Sequence, residues 1–153
     1  MAITQAHSYQ FLLELVRGEH DLEDDTLKIA LMDTTFAFDP ETDATWSDVS
    51  SSEITAGNGY TSGGEELTTV SASISVTDDR VRIDADNVTW TASGGAIAST
   101  GSAIIYNTTH ANDTIVKCID FDADYATADT RLFQISFDNG MAWLDNTGEI
   151  LPA

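Results

Sequence analysis

The sequence predicts a mainly β protein, an antiparallel β-sandwich or barrel with one N-terminal amphipathic helix. Three observations carry this expectation. Residues 27–32 alternate in the two-residue period of a strand. From residue 67 onward, short apolar segments recur between turn signals: Asp78-Asp79, Gly94-Gly95, residues 108–113 and Asn139-Gly140. Only residues 4–17 carry a helical period.

In that first segment, Tyr9, Leu12, Leu13 and Val16 follow i, i+3, i+4, i+7, and Phe11 with Leu15 widens the apolar face. Thr4 is the expected N-cap and Gly18 the expected stop, with Arg17 at the end where the helix dipole favours a cation. So broad a face covers one side or end of a sheet, or packs on a neighbouring subunit. Residues 19–25, Glu-His-Asp-Leu-Glu-Asp-Asp, read as a solvated acidic connector, and His20 beside Asp21 is too generic for a catalytic pair. The strand Leu-Lys-Ile-Ala-Leu-Met follows, with Leu27, Ile29 and Leu31 on one face and Lys28, Ala30 and Met32 on the other.

Residues 33–65 form a long polar excursion, punctuated by Phe36, Phe38, Pro40 and Trp46, with one short helical turn expected near 47–50. Loops of this length in a compact domain generally bear function or interactions. Its end, residues 54–64, reads Ile-Thr-Ala-Gly-Asn-Gly-Tyr-Thr-Ser-Gly-Gly and holds four of the ten glycines. A dinucleotide fingerprint from Gly57 would need glycine where Ser62 stands, and no Gly-Lys-Ser/Thr is present, so a phosphate cradle is excluded. Asn58-Gly59 signals a structural turn, with Tyr60 as its anchoring plug.

Further strands are expected at 67–76, with Val70, Ala72, Ile74 and Val76 on one face, and at 80–90, with a bulge at Asp86-Asn87 where the apolar parity switches. Others follow at 102–107, 114–121 and 129–138, the last carrying Leu132 or Phe133, Ile135 and Phe137. Residues 141–144 and 149–151 finish the sheet.

The 153 residues suit one domain, 1–153, with a single core, and 42% hydrophobic residues is a folded composition. Charge is the outlier: 26 acids, eighteen of them Asp, against 6 Lys and Arg give a net −20. Neither nucleic acid nor an anionic membrane is an expected partner, since both need basic residues. Self-repulsion of this size is tolerable where salt shortens the Debye length to about 3 Å, so the balance points to a salt-rich medium. The alternative is an acidic surface that keeps an ordinary protein soluble. No signal peptide or membrane span is expected.

Few motifs carry chemistry, and no catalytic, cofactor-binding or metal-ligating residues are assigned. Cys118 is the single cysteine and sits in an apolar run, which suits core packing. Only His7, His20 and His110 could serve it as a base. Asp120, Asp122 and Asp124 have the spacing that opens an EF-hand loop, but Tyr125 and Arg131 stand where the loop needs Gly and Glu, which leaves only a looser Ca²⁺ or Na⁺ site. Asp84 and Asp86 are weaker still. No serine-hydrolase elbow, His-Glu-x-x-His or Cys-x-x-Cys occurs. Sequons lie at Asn87, Asn107 and Asn112, of which Asn112, in a turn, is chemically permissive for glycosylation.

Three passages together resemble a family of small virion structural proteins of tailed viruses. They are Gly-Glu-His-Asp-Leu-Glu-Asp-Asp-Thr-Leu-Lys-Ile-Ala-Leu (18–31), Glu-Ile-Thr-Ala-Gly-Asn-Gly-Tyr-Thr-Ser-Gly-Gly (53–64), and Val-Thr-Trp-Thr-Ala-Ser-Gly-Gly-Ala-Ile (88–97) with Ala-Ile-Ile-Tyr-Asn-Thr-Thr (103–109). The ending Phe-Gln-Ile-Ser-Phe-Asp-Asn-Gly (133–140) is similar too. The resemblance implies a non-enzymatic, mostly β, virion protein without cofactors. It would be a homo-oligomeric capsid decoration or cement protein partnered by the major capsid protein, or alternatively a tail-tip, baseplate or fibre-associated protein that helps contact the host. In the second case Tyr60, Trp46 and the Asp-rich turns would meet a glycan or surface layer. The family has a tight Asp-Tyr-Gly turn where this chain has Asp124-Tyr125-Ala126. The acidic excess suits a halophilic host.

Overall fold

The computed structural model describes residues 4–77, 79–137, 142–145 and 150–151. The chain is mainly β and its sheets are antiparallel. In order come β1 (Thr4–His7), α1 (Tyr9–Val16), β2 (Leu27–Met32), α2 (Trp46–Val49), β3 (Glu65–Glu66), β4 (Ser71–Ser75), β5 (Arg80–Asp84), β6 (Val88–Thr91), β7 (Ile97–Asn107), β8 (Thr114–Thr127), β9 (Leu132–Ile135), β10 (Ala142–Asp145) and β11 (Ile150–Leu151). A five-stranded sheet runs β1-β8-β7-β2-β3, a four-stranded sheet β11-β10-β5-β4, and β6 pairs with β9 as a ribbon.

The middle of the five-stranded sheet is buried on both faces. Leu27, Ile29 and Leu31 enter the larger core, which they share with Trp90, Phe121, Ile135 and Phe11. Ala30 and Met32 enter a second cluster with Val49, Ile104 and Ile115. The alternation read in this strand is therefore real, but both faces pack against a core and only Lys28 is part-exposed. The polar excursion covers the second cluster: Phe36, Phe38 and Trp46 pack against it, and Trp46 stacks on Tyr106 at 4.5 Å. The expected helical turn is α2, continued by a 3₁₀ turn at Ser50–Ser52. Asp48 caps it by accepting both the Thr45 amide and hydroxyl at 2.8 Å.

Residues 4–7 are not helical as expected. They form the edge strand β1, with Thr4 opposite Asp120 and His7 opposite Lys117, closing the backbone edge that β8 would otherwise leave open. The helix starts at Tyr9 behind Ser8, so Thr4 is not its cap. Gly18 ends it with φ +75° as expected. The helix phase differs too. Phe11 (1% exposed) and Glu14 (3%) face inward, whereas Tyr9, Leu13 and Val16 (85%) face out. His7, fixed by β1, stacks on Phe11 at 5.7 Å and so sets which face is buried.

The expected continuous strand at 80–90 is two strands in different sheets, and Asp86-Asn87 is a crossing point, not a bulge. Polar side chains break the ladder there: Asp86 accepts the Thr68 and Thr69 hydroxyls, and Asn87 Oδ1 accepts the Phe137 amide at 2.9 Å. The long strands β7 and β8 exceed the expected 102–107 and 114–121. The segment that carries Tyr125-Ala126 continues β8, with no tight turn. In β9, Phe133 takes the inward place and Leu132 is exposed. Asp78 and the Asn139-Gly140 turn lie outside the described residues.

The glycine-rich loop is a structural turn. Gly57 and Tyr60 exchange backbone hydrogen bonds of 2.8 and 3.0 Å around Asn58-Gly59, and Asn58 Nδ2 donates to the Ala96 carbonyl. Tyr60 is buried beneath it. Gly59 and Gly64 have positive φ, and a Cβ would overlap the Thr91 carbonyl in one case and the Ile29 carbonyl in the other.

Candidate functional site

The chemistry-bearing residues that the fold brings together lie where α1 meets the start of β8. Glu14 comes from the inward face of α1, one turn beyond Phe11. His20 comes from the connector after the Gly18 stop. Asn107 ends β7, His110 lies in the β7–β8 turn, and Thr114 opens β8. Asn107 Oδ1 shapes that turn by accepting the amides of Thr109 and His110 at 2.9 and 3.2 Å.

Glu14 is the centre. Its Oε1 accepts from Gln10 Nε2 at 2.6 Å; its Oε2 accepts from His20 Nε2 at 2.9 Å and from the Thr114 hydroxyl at 2.8 Å. Burial alone would raise the carboxyl, but donors from Gln10, Thr114 and His20 outweigh it and hold Glu14 below its ordinary value. A buried carboxylate so surrounded is stable in its ionised form.

The proton positions follow from the partners. Asn107 Nδ2 has two donors, one directed to Asp25 Oδ2 at 2.6 Å and one to His20 Nδ1 at 2.9 Å. His20 Nδ1 is therefore the acceptor, and its Nε2 carries the proton given to Glu14. The His20 and His110 rings lie 4.7 Å apart. One atom from each of Glu14, His20 and His110 falls within 4.8 Å of the others, although both His20 nitrogens are already engaged by Glu14 and Asn107.

Sequence reasoning missed this site. Glu14 belongs to no motif in the sequence, and its partners stand as many as 100 positions away at Thr114. The usable signal was that two of only three histidines flank apolar strands beside polar turns. Of the acidic connector, Asp25 is drawn into the network while Asp21, Glu23 and Asp24 are exposed; His20 pairs with Glu14 and Asn107.

The residues singled out in the sequence fall elsewhere. Asp120, Asp122 and Asp124 are exposed around one open depression, and Asp120 Oδ1 accepts the Asp122 amide at 2.9 Å. Asp84 pairs with Arg82 at 2.7 Å, while Asp86 is held by threonines. Cys118 is buried, and burial, with Asp120 and Asp43 nearby, pushes its thiol up to about 12, far from a nucleophile's range. Of the sequons, Asn107 is fully buried and bonded, whereas Asn87 and Asn112 are exposed. An apolar groove of about 350 Å³ beside Phe121, Tyr125, Phe133 and Phe137 has no carboxylate, imidazole or thiol among its described lining residues.

No protein-family model, curated protein or solved structure matches the chain.

Proposed function

We propose that this chain is a non-enzymatic structural protein of a tailed-virus particle, most specifically a decoration protein that docks on the outside of a capsid by apolar burial. The observation that carries the docking part is the exposed apolar surface on two regular elements. Tyr9, Leu13 and Val16 line the outer face of α1, and Ile74 and Val76 are 79% and 82% exposed on and beside the edge strand β4. Each such side chain, once covered, contributes about 1.5–3 kcal/mol, a gain that a symmetric lattice repeats at every position. The virion part rests on the sequence resemblance, and the salt-rich setting on the net charge of −20.

The tail reading loses one contact it would use, because Tyr60 is buried, and Trp46 is stacked on Tyr106. Substituting Val16→Asp and Ile74→Asp tests the docking reading. Both positions are exposed, so circular dichroism should be unchanged while attachment to undecorated particles falls at least about tenfold. Attachment that is indifferent to both substitutions overturns it.

A further inference from the structure

His110 has a proton arrangement that its surroundings leave incomplete. Thr114 Oγ1 has one proton, and Glu14 Oε2, which can only accept, lies 2.8 Å away. That proton goes to Glu14. His110 Nδ1, 2.9 Å from the same Oγ1, must then be the donor in the other direction. The neutral ring therefore presents a bare lone pair at Nε2. That lone pair faces Glu14 Oε2 at 3.8 Å and Glu19 Oε2 at 3.7 Å. Two carboxylate oxygens thus flank one imidazole nitrogen, each at a separation too long for a direct hydrogen bond.

The two separations from His110 Nε2 are a few tenths of an ångström above the roughly 3.3–3.5 Å between ligands that share one tetrahedral ion with metal–ligand distances near 2.0–2.1 Å, and the exposed Glu19 side chain has room to close on the ion. The outer partners are also those of a metal-bound imidazole: His110 gives its Nδ1–H to an oxygen that is itself bonded to the ligating carboxylate. His20 cannot take the same part. Asn107 holds its Nδ1 as an acceptor, and Asn107 cannot turn over without losing Asp25 and facing the Thr109 and His110 amides. His20 is a positioning residue that donates to Glu14.

We propose that His110 Nε2, Glu14 and Glu19 bind one divalent transition-metal ion, with nitrogen and oxygen donors that suit Zn²⁺ or Co²⁺ over Ca²⁺ or Mg²⁺. The ion ties α1, the connector and the β7–β8 turn together. Water completes its coordination, since the Glu19 side chain is 43% exposed and opens the site to solvent.

The test uses the full chain, stripped with a chelator and titrated with Zn²⁺ by calorimetry in molar KCl, which suppresses diffuse binding to the acidic surface. One Zn²⁺ per chain should bind and raise Tm with increasing free metal. Glu14→Gln risks misfolding, so two less buried positions carry the test. His110→Ala should weaken binding by more than about 100-fold and Glu19→Gln by about tenfold, given that losing even an outer partner costs 10–100-fold. Co²⁺ should give visible bands that His110→Ala abolishes. No stoichiometric Zn²⁺ uptake would mean that the gap takes only a proton and would overturn the proposal. Uptake that survives both substitutions would overturn it equally.

Discussion

The Tyr60 hydroxyl donates to Glu53 Oε1 at 2.8 Å and accepts the Leu31 amide at 3.0 Å, which fastens the glycine-rich loop to β2 where that strand runs past its short partner β3. Glu53 also accepts Ser62 Oγ at 2.8 Å and the Gly63 amide at 2.6 Å, so one carboxylate gathers the loop from three sides. Burial and the Glu53 carboxylate push the phenol far above its ordinary value, so it remains a neutral donor.

Tyr60→Phe should therefore lower stability by about 1–3 kcal/mol, because it leaves the buried Leu31 amide without its acceptor. Urea unfolding should show a lower midpoint with an unchanged slope. A midpoint equal to that of the parent would mean the loop is held by apolar contact alone.

Gly64→Ala should be far more damaging than Gly18→Ala, although both glycines have positive φ. At Gly18 the added methyl meets open space, so only the conformational term of about 1 kcal/mol applies. At Gly64 it overlaps the Ile29 carbonyl in the central sheet, which calls for backbone displacement and a loss above about 3 kcal/mol. Thermal melts of the two variants compare them directly.

Stability should rise with pH from the acid range up to about 9. Burial and the neighbouring Lys117 lower His7 from 6.5 to about 4, and burial lowers Lys117 from 10.5 to about 7. Both are bases that the fold keeps neutral, so the unfolded chain binds the extra proton between about 4 and 6.5 for His7 and between about 7 and 10.5 for Lys117. Each group alone raises stability by about 1.4 kcal/mol per pH unit across its window, until about pH 9, where the buried Cys118 thiol, raised from 9.0 to about 12, acts in the opposite sense and offsets Lys117. Glu14 adds the opposite kind of group with the same outcome: its depressed carboxyl stabilises above its unfolded value of 4.5 and that contribution is lost as pH falls through the folded one. His7→Phe should flatten the acid window and Lys117→Met the alkaline one, as read from urea midpoints across pH.

Much of the fold was legible because it is written locally. The alternation of residues 27–32, the Asn58-Gly59 turn and the Gly18 stop depend on neighbours in sequence, and all appear as read. The failures share a non-local cause. Residues 4–7 become a strand because β8 offers them an edge, and α1 turns Phe11 and Glu14 inward because His7, Thr114 and His20 meet them there. The break at Asp86-Asn87 depends on Thr68, Thr69 and Phe137. The Glu14 cluster was illegible for the same reason: no short spacing relates positions 14, 20 and 110.

The acidic surface makes a separate prediction. With a net −20, the fold should gain stability between 0.1 M and molar KCl as repulsion is screened. Circular dichroism melts should show Tm rising steadily with salt. A Tm independent of salt would place the chain among ordinary acidic proteins.

If this protein coats a capsid, as proposed, its copy number in purified virions follows the capsid lattice. Quantitative mass spectrometry against the major capsid protein should give a ratio near one per capsid subunit or one per capsomer. A handful of copies per particle would contradict decoration and assign the chain to the tail, and its absence from virions would contradict both.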